Sequence, residues 1–445
     1  MSNEKKSIMR VAMAGILFSL PACDGGRGRG SGGDTGGEDD GGGSPIDGGA
    51  AAADADSHDA GGAPGSDARG GVPGDPATIF DPARLHALEL SLAPDDWQSI
   101  LDDSRGNEWR RATFSFDGGV IDNVGVRPSG ESSRFSGNRK MSLRLKFDAF
   151  GQDGRKLHGV EELKLEGLWS DASLMRERLA YFVFHARMPS PREVHGRLVV
   201  NGELRGLYGV EEVWDDEAVK ARFAAPIGPL YRVRGLSVDL DPYAYLGDEP
   251  SHYVPLPWDP ETKHLADEHV VIGRFLRALA QMPDSLDQVA DVERLLEYFA
   301  CSAVVTNIDG FTGDFEVDDH FQYFDTQTGR FVILPWDPDN TFGSINDPPT
   351  RSIYENFSKS ALTRLIRDTP ALRRRMRAKI NEIMAAIPLP KLSAEADFIY
   401  RQIQAAAYED PYKTWPNDHF DFSLGYIKQF AADRYTNLQM QVNPK

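Results

Sequence analysis

Cysteine is almost missing from this chain, with two in 445 residues, and that excludes a disulfide scaffold. Basic residues are outnumbered, 49 Lys and Arg against 68 Asp and Glu, for a formal charge of −19. Lys and Arg also occur only in short runs, so nothing here could neutralise a phosphate backbone, and a nucleic-acid partner is excluded. The N-terminal apolar stretch, Val11 to Leu20, has ten residues, too short for a permanent membrane span. No internal repeat is visible.

What is present divides into unlike parts. Lys5, Lys6 and Arg10 precede the apolar stretch, and Leu20-Pro21-Ala22-Cys23 follows it. Residues 1–23 therefore read as an export signal. The four-residue stretch resembles a bacterial lipobox, which implies cleavage before Cys23 and lipidation of its thiol; with Pro21 in it, plain secretion after Ala22 stays open. Asp24 to Pro76 holds 19 Gly, 11 acidic and 3 basic residues. Such a composition cannot bury a core, and residues 24–76 read as a disordered tether behind the anchor. Residues 77–445 are long enough for one large domain of two parts.

In that domain strands come first and helices later. Ala112 to Phe116, Ser142 to Phe147, Gly196 to Asn201 and Leu207 to Val213 have strand character. Asp171 to Ala186 suits an amphipathic helix, and from about Glu268 the pattern is mainly helical, with Thr369 and Pro370 opening one helix. Cys301 falls in an apolar helical stretch and reads as a core residue. One segment interrupts the helices. His320 to Phe324, a turn at Thr326 to Gly329, and Phe331 to Leu334 predict a tight hairpin. An acidic loop with Asp309 leads into it, and Asp337-Pro338-Asp339 leads out. A hairpin joins its own ends, so carboxylates 28 residues apart should meet. Gathered carboxylates repel unless a proton or cation intervenes, and hard oxygen donors suit Mg²⁺, Mn²⁺ or Ca²⁺. The plainer reading is an Asx-type turn beside a solvated loop.

Asn307-Ile308-Asp309, together with the Pro335-Trp336-Asp337-Pro338-Asp339 stretch that runs on to Phe342 and Gly343, resembles the spore coat protein H (CotH) family of atypical secreted kinases. Further blocks resemble it in the same order: Val126 to Ser133, Arg139 to Phe147, Asp171 to Leu179, and Val200 to Tyr208 with Glu212. The resemblance implies an α+β, two-lobed atypical protein-kinase-like fold, with a β-rich N-lobe over about 77–212 and a mainly helical C-lobe over about 213–445. It implies Asp309 as the residue that orients an acceptor hydroxyl, and Asp337 as a metal ligand assisted by Asp339. Ser129, Gly130, Ser132 and Ser133 form a loop whose N–H groups suit phosphate. Lys140, Arg144 and Arg176 are cationic candidates for phosphate contact, Glu177 for an ion pair from the neighbouring helix, and Glu212 for a place beside the adenine.

One departure from the family pattern concerns the second metal site. Where an Asn is common, this chain has His320, preceded by Asp318 and Asp319, so Asp319 and His320 become the candidates there. The expectation is an exported, membrane-tethered kinase that uses ATP with Mg²⁺ or Mn²⁺ on hydroxyls of an extracytoplasmic protein. A noncatalytic surface protein of kinase-like fold, binding a partner or a polysaccharide, is the alternative, and nucleotidyl transfer is a third.

Overall fold

The computed structural model describes residues 72, 74–102, 106–130, 133–135, 137–151, 153–237, 240–262 and 269–443. The stretch read as an export signal, Cys23, nearly all of the stretch read as a tether, and Ser132 lie outside the described residues.

Seven strands close a barrel. They are β1 (Leu85–Leu92), β2 (Arg110–Phe116), β3 (Gly119–Pro128), β4 (Leu143–Lys146), β5 (Glu162–Glu166), β6 (Glu193–Val200) and β7 (Glu203–Glu212), in the order β1-β2-β3-β4-β5-β7-β6. All neighbours run antiparallel except β1 and β6, whose parallel pairing shuts the ring. The reason lies in period-two alternation. Phe114, Leu143, Leu145, Leu163, Leu165 and Val210 turn inward and fill the barrel, all fully buried. The polar residues between them face out, and one side of that outer face is covered by the rest of the chain.

A second, antiparallel sheet is formed by β8 (Leu230–Val233), β9 (Trp258–Pro260), β10 (His320–Asp325) and β11 (Arg330–Pro335), in the order β11-β10-β8-β9. The predicted hairpin is β10–β11, with Gly329 at φ 68° closing its turn.

Nine α-helices complete the described chain: α1 (Pro94–Asp102), α2 (Arg176–His185), α3 (Asp216–Lys220), α4 (Val270–Gln281), α5 (Val292–Val305), α6 (Ala361–Asp368), α7 (Pro370–Ala386), α8 (Leu389–Glu409) and α9 (Asn417–Val442). α5 is the central one, capped by the Asp291 carboxylate and buried on nearly every side, Cys301 included. α2 lies between β6 and α5. α7 buries Met376, Ile380 and Ile383 at helical spacing, while Arg373, Arg374, Arg375 and Arg377 stay off that stripe. The chain is thus α+β, with one apolar core inside the barrel and another beneath the helices. Among the described residues no helix is long and apolar enough to cross a membrane.

Candidate active site

Strand pairing sets the site. Arg144 on β4 lies opposite Lys164 on β5, Lys164 opposite Glu211 on β7, and Glu211 opposite Glu193 on β6. Directly paired residues share a face, so a row of charged side chains crosses the outside of the barrel where the remainder of the chain covers it.

Lys164 is the hub of this row. Its Nζ lies 2.8 Å from Glu211 Oε2, 2.8 Å from Asp337 Oδ1, 3.0 Å from Glu166 Oε2 and 3.9 Å from Glu177 Oε1. Burial disfavours its charge, yet Asp337, Glu166, Glu211 and Glu177 together hold its pKa well above the ordinary lysine value. Asp337 is half-buried, which raises its carboxyl, but Lys164 and Arg232 keep it below the usual range. The converse holds for Glu177, which burial and the Glu211 charge push well up. Asp339 is likewise pushed well up by burial, then by Asp337 and Asp309.

The two acid-bearing loops are laced together by their main chains. Ile308 N–H donates to Asn340 O at 3.1 Å, and Phe342 N–H donates to Val305 O at 2.8 Å. The Asn340 amide then bridges Asp309 Oδ2 (3.3 Å) and Asp339 Oδ1 (2.7 Å). Each loop begins on a left-handed residue, Thr306 at φ 54° and Asp337 at φ 52°. Such conformations are rare outside glycine, and rarest for a β-branched residue like Thr306.

Four carboxylates therefore lie within 3.9 Å of one ammonium group, an imbalance that calls for cations or protons. Glu177 makes this concrete. No N–H or O–H reaches either of its buried oxygens, and only a proton of its own lets it bond Asp337. Glu166, Glu177 and Asp337 each offer an oxygen, all within 4.8 Å of one another. An all-oxygen set of this kind fits Mg²⁺ or Mn²⁺. Glu166 is aimed by the Ser142 hydroxyl at 2.7 Å, and Ser142 in turn meets the Ser133 hydroxyl at 3.4 Å. Ser133 thus stands beside the acidic cluster, and Gly130 before it adopts φ 80°.

Several residues singled out in the sequence are not brought to the cluster. Lys140 is fully buried and pairs with Asp410 at 2.6 Å, so it ties β7 to the end of α8 and does not face the carboxylates. Arg144 is in the row, held by Glu162 at 2.8 Å. Arg176 gives its guanidinium to Asp171, the residue that also caps the start of α2. Glu212 lies opposite Leu163 and is held by Arg192 and Arg222. Its neighbour Glu211 takes the place in the cluster, because adjacent residues of a strand point to opposite faces. His320 does not reach the cluster as a ligand. Its Nε2 accepts from the Tyr243 hydroxyl at 2.6 Å and its Nδ1 donates to Asp318 O at 2.9 Å, so both ring nitrogens are used, and burial lowers its pKa to about 4. Asp319 lies 3.7 Å from Arg232, the arginine that also acts on Asp337.

Lys164, Glu166, Glu211, Glu193 and Tyr181 were missed from sequence. A signal for the first two was there: Glu162-Leu163-Lys164-Leu165-Glu166 alternates strictly, as a strand with one apolar face does.

A lysine on a barrel strand is thus ringed by carboxylates from neighbouring strands, from a helix and from a hairpin exit. The chain belongs to the CotH kinase protein family, whose profile matches residues 126–438, well over half of its length and inclusive of every cluster residue named above. It is also similar to Inner spore coat protein H of Bacillus subtilis (strain 168), with 22% identity over 288 residues, 63% of this chain and 78% of that protein.

Proposed function

We propose that this protein is an exported, membrane-tethered kinase that transfers the γ-phosphate of ATP to protein Ser or Thr hydroxyls. The observation that carries the reading is the gathering of Asp337, Glu166, Glu211 and Glu177 around Lys164. In this reading the barrel and the helical remainder are the two lobes of a kinase-like fold. Lys164 on its strand and Glu177 on its helix, 3.9 Å apart, form the strand-to-helix ion pair. Asp337, Glu166 and Glu177 would hold Mg²⁺ or Mn²⁺, which when bound would supply charge neutralisation for the phosphates. Arg144 and Ser133 would contact the phosphate oxygens in this reading. Asp309, oriented through Asn340, accepts the proton of the acceptor hydroxyl as its oxygen displaces ADP from the γ-phosphorus. The lipidated Cys23 and the Gly/Asp/Ala tether hold the domain off a bacterial membrane, with an extracytoplasmic protein as acceptor.

The test uses the full chain with ATP labelled on the γ- or α-phosphate, Mg²⁺ or Mn²⁺, a generic acceptor protein, and Asp337→Ala alongside. Metal-dependent γ-label transfer that disappears in the variant is the expected result. Transfer of α-label would assign nucleotidyl transfer instead. Absence of label, of ATP binding and of metal-dependent stabilisation would favour the second reading, a noncatalytic surface protein. That reading draws on His320, whose two nitrogens are both occupied where the family pattern has Asn.

A further inference from the structure

Asp337 adopts a left-handed backbone, φ 52°, although Pro338 follows it and both facts restrict the chain there. A main chain in such a state persists only where its surroundings hold it. Here they do so through a closed ring. The Asp337 N–H donates to the Tyr181 hydroxyl at 3.1 Å. An N–H can only donate, so the single hydroxyl proton goes the other way, to Glu211 Oε1 at 2.7 Å. Glu211 Oε2 meets Lys164 at 2.8 Å, and Lys164 returns to Asp337 Oδ1 at 2.8 Å. One arm of the ring thus grips the main chain of Asp337 and the other its carboxylate. Tyr181 sits on α2 one turn beyond Glu177 and is fully buried, so water does not compete for its hydroxyl.

We propose that Tyr181 is a positioning residue: its hydroxyl fixes the turn at Asp337 and orients Glu211 toward Lys164, which keeps an Asp337 oxygen within 4.8 Å of Glu166 and Glu177. The proposal rests on the reading of Asp337 as a cation-holding carboxylate. Tyr181 touches neither substrate nor cation in this scheme, and it acts through the backbone of one residue and the carboxylate of another. Removing the hydroxyl opens the ring and leaves the Asp337 N–H and Glu211 Oε1 buried without partners.

The experiment titrates Mn²⁺ into the full chain, reading free ion by electron paramagnetic resonance, for the wild type, Tyr181→Phe and Asp337→Asn, and measures kcat and KM for ATP in parallel. Tyr181→Phe is expected to weaken Mn²⁺ binding by about 10- to 100-fold, the usual cost of losing a group that orients a ligand. Its kcat should fall by a similar factor, with KM for ATP little changed. Wild-type Mn²⁺ affinity in Tyr181→Phe, when Asp337→Asn has lost it, would overturn the role of Tyr181 alone. Wild-type affinity in Asp337→Asn would overturn the underlying reading of the site. Should Tyr181→Phe not fold, Glu211→Gln opens the same ring on the far side of the hydroxyl, and unchanged Mn²⁺ affinity there would defeat the proposal equally.

Discussion

Glu177 shows the conflict between stability and chemistry at the level of one side chain. It holds a carboxylate in a buried space with no hydrogen-bond donor, next to Glu211 and Asp337, so the fold carries it at a cost when no cation is present. Replacing it with Gln removes the charge and keeps the shape. Glu177→Gln is therefore expected to stabilise the cation-free protein by about 1–3 kcal/mol, seen as a rise in Tm. The same variant should lose the additional Tm rise that Mn²⁺ gives the wild type, because binding to the native state is what produces that rise. A variant that melts as the wild type does, with and without Mn²⁺, would remove Glu177 from the site. None of this was readable at position 177 itself. A lone Glu in an amphipathic helix carries no mark of burial, and only the packing of α2 against the barrel makes it costly.

Among the elements, strand parity decided which residues entered the cluster. The hairpin and its flanking acids were legible because Gly329, the alternation on both sides and the two acidic loops are all local signals. β7 was legible as a strand, but its register was not. Glu211 and Glu212 look equivalent in sequence, and a shift of one residue exchanges the face that meets Lys164 for the one that meets Arg192 and Arg222. α3 makes a separate point about charge. Its cap, Asp215, accepts from Ala218 N–H at 2.8 Å, while burial raises its pKa to about 7. An unfolded Asp titrates near 4, so between these values the folded chain binds a proton the unfolded chain has released. Stability from this group is full below about pH 4 and declines as pH climbs to about 7. Asp215→Asn, which caps a helix about as well, should flatten that decline. Guanidinium unfolding at pH 5 and pH 8 measures it, and an unchanged pH slope in the variant would contradict the assignment.

For the whole molecule, the pin that matters is Lys140 with Asp410. The ion pair is fully buried at 2.6 Å, and Asp410 also accepts from the Leu207 N–H at 3.0 Å. It joins the barrel strand β7 to the residue that follows α8. Gly206, at φ 103°, leaves the space for it, since a Cβ there would lie 2.1 Å from the Asp410 carboxylate. Cutting one side of a buried pair strands the other charge, and Lys140→Met should cost about 3–5 kcal/mol of stability. Chemical denaturation of the variant tests this, and a loss within experimental error would show the pair to be dispensable. Because Lys140 lies away from the carboxylates around Lys164, Mn²⁺ affinity of the folded variant should be that of the wild type.

The sequence by itself determined whatever depends on neighbours along the chain: the α+β order, the β10–β11 hairpin and the acids at its two ends. Tertiary structure alone decided what those acids meet. Closure of the barrel set Lys164 in register with Glu211, the seating of α2 brought Glu177 and Tyr181 to the same place, and the lacing of two loops brought Asp309 to Asn340 and Asp339. The physical reason is that hydrogen-bonded turns and periodic burial are local, whereas the energy of a buried charge depends on every group around it, and those groups come here from distant strands, helices and loops, as with Lys164 and Asp337, 173 residues apart.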